Sequence, residues 1–121
     1  MQSIDLAQTR ERLLHGMRDY MQAVASDGGD PGYTEAEIAR CAGILDALDA
    51  RVTACAHGDG TGVMGAVQEA VEALNALNDD CDGGLIETDQ REDLCALIIA
   101  VAARRGVGTG DEDITEPWRD W

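Results

Sequence analysis

The segment from Asn78 to Asp93 carries the densest polar cluster in the chain, and its first part, Asn78 to Asp89, carries oxygen-bearing side chains at intervals of two residues. Asn78, Asp80 and Asp82 alternate along it, Gly83 follows, and Asp89 closes the stretch. Carboxylate and amide oxygens at such intervals are ligands that calcium and magnesium prefer. The first chemistry that this sequence suggests is therefore the binding of a divalent cation.

Over these residues the sequence resembles an EF-hand calcium loop, which has oxygen ligands at its first, third, fifth and twelfth positions and glycine at its sixth. Leu85 matches its apolar eighth position, and the segment joins two predicted helices as that motif requires. Two positions depart from the pattern, because Asn78 replaces the usual first aspartate and Asp89 replaces a longer bidentate glutamate. The resemblance implies a Ca²⁺ or Mg²⁺ site formed by Asn78, Asp80, Asp82 and Asp89. The alternative is a helix end, a Gly-Gly turn and an acidic helix start, with no cofactor.

Two acidic pairs suggest a second chemistry. Glu69 and Glu72 form an ExxE pair, and Asp89 and Glu92 follow on the next predicted helix. This order is similar in outline to the all-α nucleoside triphosphate pyrophosphohydrolases, and the resemblance implies magnesium held at a triphosphate. The second pair has its acids in the opposite order to the usual ExxD. Helical periodicity also turns Glu69 and Glu72 outward, whereas metal ligands in a bundle converge inward. The sequence therefore favours a protein that is not an enzyme.

A third set of residues suggests contact with a protein partner. Arg91 stands alone among acidic residues, and the two tryptophans of the chain, Trp118 and Trp121, lie in its C-terminal tail. Exposed tryptophan and arginine are typical anchors of protein interfaces. We predict that these three residues contact a partner. For the position of the tail itself, we expect Ile114 and Trp118 to fold back and close the end of the helical bundle.

The charge limits the classes of partner. The chain has nine arginines, no lysine and 24 acidic residues, which give a net charge of -15. Such a surface repels nucleic acids and anionic membranes and attracts basic proteins. We therefore expect an accessory or inhibitor-like factor that binds a basic protein. Cation binding is the alternative, and a pyrophosphohydrolase-like activity is less favoured.

Compartment and cysteine chemistry follow from simple patterns. The N-terminus has no apolar signal segment, and no apolar run approaches the roughly 18 residues of a membrane span, so we expect a cytoplasmic protein. The four cysteines form no metal-binding pattern. Cys41, Cys55 and Cys81 fall at apolar positions of predicted helices, which indicates buried thiols. A disulfide between Cys41 and Cys81 stays open.

The fold predicted from periodicity is an all-α four-helix bundle made of two αα-hairpins, with a C-terminal tail packing back. The bundle covers residues 1–106, and the acidic tryptophan-bearing tail covers residues 107–121. The predicted helices run approximately over 5–26, 35–55, 62–80 and 88–105, separated by glycine-rich turns. Thr34 and Glu37 form a capping box at the start of the second helix. A weak repeat of Asp-Gly-Gly, Thr and Cys relates the two hairpins, by duplication or by chance.

Helical spacing also predicts which faces are buried. Apolar residues three and four positions apart form the seams of the second and third helices. The run Leu94–Ala103 has no polar face, so the fourth helix is expected to be the most enclosed. Asn75 falls outside the seam of the third helix and is expected to face solvent. Tyr20 falls in the apolar stripe of the first helix. The oligomeric state stays open.

Overall fold

The computed structural model describes residues 5–108 and 112–121. Its helices are α1 (Leu6–Ser26), α2 (Glu35–Ala54), α3 (Gly60–Asp80) and α4 (Thr88–Ala103). No β-strand occurs within the described ranges. The predicted all-α four-helix bundle is confirmed, and the helix ends lie within two residues of those expected from the glycine turns and caps.

Side-chain caps fix where three of the helices begin. Asp5 Oδ1 accepts a hydrogen bond from the backbone N–H of Gln8, at 3.1 Å, at the start of α1. At the start of α2, Glu37 Oε1 accepts from the Thr34 N–H at 2.7 Å and the Thr34 side chain accepts from the first turn of the helix, so the predicted capping box is present. Asp59 caps α3 by accepting from the Gly62 N–H at 3.0 Å. Since the first N–H groups of a helix lack internal acceptors, these contacts stabilise each helix start.

Two close helix pairs build the core. α2 packs most extensively against α3, and α1 packs against α4. The predicted seam of α2, which runs from Ile38 to Cys55, is buried as far as Val52. The predicted seam of α3 is buried throughout, at Val63, Val67, Ala70, Leu74, Leu77 and Cys81. The largest fully buried side chains are aliphatic: Leu13, Met17, Ile38, Leu74, Leu77, Leu85, Leu94, Ile98, Val52, Val63, Val67 and Val71. A core without phenylalanine is thus filled by many small contacts between closely spaced helices.

The fourth helix and the first differ in how well their apolar patterns predict burial. No residue of Leu94–Ala103 is exposed, as the all-apolar run predicted. Tyr20 of α1 is 45% exposed and stacks on the buried Tyr33, with ring centroids 6.5 Å apart. The Tyr33 hydroxyl donates to the carbonyl oxygen of Met17 at 2.7 Å and so fixes the loop after α1 against the helix.

The tail packs back on the bundle, as predicted. Ile114 and Thr115 are buried, and Trp118 and Trp121 are half-buried against the hydrophobic core. No helix in the described part of the chain is long and apolar enough to cross a membrane.

Candidate functional site

Two loops meet at one end of the bundle. A Cβ added to Gly32, in the α1–α2 loop, would lie 3.5 Å from the carbonyl oxygen of Cys81, and one added to Gly84 would lie 3.9 Å from that of Pro31. We call this surface the acidic end. Its exposed carboxylates are Asp27, Asp30, Asp79, Asp80, Asp82 and Glu87. The segment Asn78–Asp89, which carried the predicted cation ligands, forms one side of this end.

Asn78 serves the chain itself. Its side chain is 8% exposed, and Oδ1 accepts hydrogen bonds from the backbone N–H groups of Leu85 and Ile86, at 3.2 and 2.9 Å. Its carbonyl oxygen accepts from the Gly83 N–H at 2.8 Å. The Cys81 N–H donates to the same carbonyl oxygen at 3.1 Å, so one asparagine holds the turn between α3 and α4 through four backbone donors. Its amide oxygen, the predicted first cation ligand, is directed at this backbone.

The remaining predicted cation ligands do not converge with it. Asp80 lies within α3 and accepts from Arg40 Nη1 at 2.8 Å. Asp82 has a left-handed backbone with φ of 55°, and Asp89 lies exposed in the first turn of α4. Across residues 5–108 and 112–121, no group of three or more histidine, cysteine or acidic side chains is placed to hold a metal ion. A cation at this turn would have to displace the contacts of Asn78 and Asp80.

The ExxE pair lies on the outside of the bundle, where the periodicity placed it. Glu69 is exposed and forms an ion pair with Arg51 of α2. Glu72 is exposed and accepts from Gln68 Nε2 at 3.2 Å. Asp89 and Glu92 are exposed on α4. The pair thus lacks the inward convergence that a metal-dependent hydrolase in a bundle requires.

Asn75 is directed at the tail, so the expectation that it faces solvent is wrong. Its Nδ2 donates to the carbonyl oxygen of Trp118 at 2.6 Å, and its Oδ1 accepts from the Asp120 N–H at 3.0 Å. The side chain is half-buried beneath the returning chain. Helical register predicts the inner face of a bundle, but it carries no information about a tail that covers an outer face. The sequence feature that could have predicted this contact is the side-chain amide of Asn75, which offers both a hydrogen-bond donor and an acceptor.

A polar cluster holds the rest of the tail. Arg119 Nη1 lies 3.2 Å from Asp113 Oδ2 and 3.0 Å from Cys95 Sγ, and its guanidinium carbon lies 5.5 Å from the ring centroid of Trp121. Asp113 also accepts from the Thr115 N–H at 3.0 Å. Burial alone would raise the pKa of Asp113, but the hydrogen bonds of Thr115 and the charge of Arg119 outweigh it and hold that pKa below its usual value. The ionised form of Asp113 is therefore favoured in the docked tail, where it pairs with the same Arg119 that contacts Cys95 of α4.

The three predicted partner residues lie in different settings. Trp118 and Trp121 pack partly on the core, so each presents only part of its ring to solvent. Arg91 is exposed in α4, and its backbone N–H donates to the carbonyl oxygen of Glu87 at the edge of the acidic end. It is the one arginine that forms neither an ion pair nor a helix-capping contact with the residues that the structure describes.

Most of the positive charge is neutralised within the molecule. Seven of the nine arginines pair with carboxylates, namely Arg10 with Asp46, Arg12 with Asp93, Arg18 with Glu35, Arg40 with Asp80, Arg51 with Glu69, Arg104 with Asp49 and Arg119 with Asp113. At the acidic end, the side chains of Asp27, Asp79 and Asp82 have no ion pair among the described residues. That end therefore keeps an uncompensated negative charge.

The opposite end of the bundle is closed by Arg105. Its Nη2 donates to the carbonyl oxygen of Thr53 at 2.8 Å, and its Nε donates to that of Val52 at 3.3 Å. These are terminal carbonyls of α2, which lack partners within the helix. His57 is exposed, and its ring lies against Gly106, where an added Cβ would approach Nε2 to 2.6 Å. A cationic side chain thus seals this end, while carboxylates line the other.

The cysteines are free thiols. Burial raises the pKa of Cys41 to about 12, and the nearby charge of Arg10 offsets this only in part. Burial and the charges of Glu37 and Asp80 also raise the pKa of Cys81. Cys55 was predicted to be buried but is half-buried, because it lies at the C-terminal end of α2, and its Sγ lies 3.3 Å from the carbonyl oxygen of Arg51. Because the thiolate is the reactive form, Cys41 and Cys81 act as small apolar core residues, as predicted.

No protein-family model, curated protein or solved structure matches the chain. Its function is therefore inferred from the geometry and charge of its own surface.

Proposed function

We propose that this protein is a non-enzymatic accessory or inhibitor-like factor that binds a basic protein in the cytoplasm through its acidic end. The observation that supports this proposal is the contrast between internally paired arginines and unpaired carboxylates. Asp27 in the α1–α2 loop, Asp79 in the last turn of α3 and Asp82 in the α3–α4 loop are exposed and lack an ion pair among the described residues. A basic partner would supply the missing positive charge.

Electrostatics favours such an encounter over distance as well as at contact. A net charge of -15 attracts a cationic surface and speeds its diffusional approach. The rigidity of this surface also favours binding, because carboxylates that are already held in one arrangement lose little conformational entropy when a partner binds. The contacts of Asn78 and Tyr33 supply that rigidity. The acidic end is thus charged and ordered before a partner arrives.

Arg91 gives this surface a means of discrimination. It lies at the edge of the acidic end, and its guanidinium can bind a carboxylate of the partner with two parallel hydrogen bonds. The exposed parts of Trp118 and Trp121 lie on the tail, which contacts α3 at Asn75 and α4 at Cys95. Arg91, Trp118 and Trp121 thus provide secondary contacts with the partner beside the acidic end.

The test is affinity capture from an extract of the native cells with two matched triple variants. The first replaces Asp27, Asp79 and Asp82 with asparagine, and the second replaces Glu11, Glu72 and Glu116 with glutamine elsewhere on the surface. Both variants change the net charge by the same amount. We expect the wild type and the second variant to retain the same basic protein, and the first variant to lose it.

Salt provides the second criterion. Exposed charges are screened over about 10 Å at 0.1 M salt, so capture should weaken steeply as the salt concentration rises. The proposal is wrong if both triple variants capture the partner equally, or if capture is unaffected by salt.

A further inference from the structure

An open cavity with aliphatic walls and a charged rim lies on the side of the bundle, away from the acidic end. It has a volume of about 150 Å³ and opens between α1, α2 and the second half of α4. It exists because α1 packs along α4 and makes fewer contacts with α2. Aliphatic side chains from all three helices line it: Leu6, Ala7, Leu45, Leu48, Leu97 and Val101.

Two ion pairs border this cavity. Arg10 Nη2 lies 3.0 Å from Asp46 Oδ1, and Arg104 Nη2 lies 3.2 Å from Asp49 Oδ1. All four side chains line the cavity and reach solvent. The two positive charges are balanced by two negative charges, so the rim carries no net charge. An ionic ligand would have no net attraction to this rim, and a carboxylate would also be repelled by the charge of the whole protein.

The rim nevertheless keeps hydrogen-bond donors. Each guanidinium carries five N–H groups and makes one contact to an aspartate here. Arg10 Nε is buried without an acceptor among the described residues. Because this Nε has almost no accessible surface, a ligand with one acceptor oxygen would accept instead from the solvent-reaching guanidinium N–H groups of Arg10 and Arg104.

The size of the cavity limits the rest of the ligand. An apolar protein cavity of about 150 Å³ holds a molecule as large as benzene. We propose that this cavity binds a small uncharged cyclic molecule of about six or seven non-hydrogen atoms that carries one acceptor oxygen. Its ring lies on Leu45, Leu97 and Val101, and its oxygen faces Arg10 at the rim.

The test uses cyclohexanone as the probe and follows the methyl signals of Leu45, Leu97 and Val101 by NMR. We expect saturable shifts with a millimolar dissociation constant. Benzene, which has no acceptor oxygen, should bind several-fold more weakly, and benzoate should cause no saturable shift. In Arg10→Met, cyclohexanone should lose its advantage over benzene.

Two matched variants connect the shifts to the cavity. Ala7→Leu extends a side chain into the cavity, while Ala23→Leu adds the same group to an exposed position of α1 away from it. Ala7→Leu should weaken binding at least tenfold with an unchanged circular dichroism spectrum, and Ala23→Leu should bind as the wild type does. The proposal is overturned if cyclohexanone gives no saturable shift up to its solubility limit, if Ala7→Leu binds as well as Ala23→Leu, or if benzoate binds more tightly than cyclohexanone.

Discussion

Two asparagines on α3, Asn75 and Asn78, lie one turn apart and hold two different segments of the chain. Asn78 is buried and accepts from two backbone N–H groups of the α3–α4 turn. Asn75 is half-buried and binds the tail with one donor and one acceptor. Neither role is visible in the apolar pattern of α3, because both contacts are made outside the seam of the bundle.

The two asparagines differ in whether water can replace their hydrogen bonds when the side chain is removed. The N–H groups of Leu85 and Ile86 lie on buried residues, so water does not readily satisfy them without Asn78. The Asp120 N–H lies on an exposed residue, so water can take the place of Asn75. A buried asparagine thus fixes a turn as part of the folding unit, and a half-buried one holds a segment that can detach alone.

The largest effect is expected for Asn78→Ala. The change leaves two buried backbone donors without an acceptor, so we expect the free energy of unfolding to fall by about 2–3 kcal/mol. Urea unfolding followed by far-ultraviolet circular dichroism measures this loss. Asn78→Asp is the matched control, because it keeps an acceptor oxygen at the same position and should recover part of the stability. A loss below about 0.5 kcal/mol, the range of ordinary surface changes, would show that the turn does not depend on Asn78.

Asn75→Ala should have a smaller effect of about 1 kcal/mol that is confined to the tail. Both tryptophans of the chain lie in the tail, so tryptophan emission reports tail docking separately from the helices. We expect the emission to shift to longer wavelength while the helical circular dichroism stays unchanged. If emission and circular dichroism change together along one unfolding curve, the tail belongs to the same cooperative unit as the bundle.

The ionisation of Asp113 should make tail docking dependent on pH. Its pKa is lowered in the folded protein, so its contribution to docking is present above the ordinary aspartate pKa and is lost as the pH falls through the lowered value. We expect the tryptophan emission to shift on acidification below about pH 4. Asp113→Asn should shift the emission at neutral pH and remove this dependence. Identical pH curves for the two proteins would exclude Asp113 as the responsible group.

The smallest effect is expected for Asp80→Asn. The pair with Arg40 is exposed on both sides, and such pairs contribute about 0–1 kcal/mol. The same variant tests the cation hypothesis, since Asp80 is one of the predicted ligands. With Asn78 bound to backbone donors, we expect millimolar calcium and magnesium to change the melting temperature of the wild type and of Asp80→Asn alike. A calcium-specific rise that is lost in Asp80→Asn would instead support the EF-hand-like interpretation.

The helices were predictable because their signals are local. Thr34 and Glu37 marked the start of α2, and the glycine turns marked where helices end. The uninterrupted apolar run at Leu94–Ala103 predicted the burial found there. Such signals depend on neighbours within one or two helical turns, which a sequence displays directly.

The candidate site was less predictable because its contacts join distant parts of the chain. The spacing of Asn78, Asp80 and Asp82 is that of cation ligands, but spacing does not reveal whether an oxygen is already bound to a backbone donor. Asn75 contacts Trp118 and Asp120, which are 43 and 45 positions away in sequence, and Arg119 contacts Cys95, which is 24 positions away. These contacts exist only because the tail packs on α3 and α4, and helical periodicity carries no information about that packing.

Amide hydrogen exchange tests the contrast between the two asparagines most directly. In Asn78→Ala, the amides of Leu85 and Ile86 should exchange much faster than in the wild type, and in Asn75→Ala those two amides should stay protected while the Asp120 amide loses protection. That result would show that one residue of α3 fixes the turn and the other holds the tail. Unchanged protection of Leu85 and Ile86 in Asn78→Ala would contradict the role assigned to Asn78.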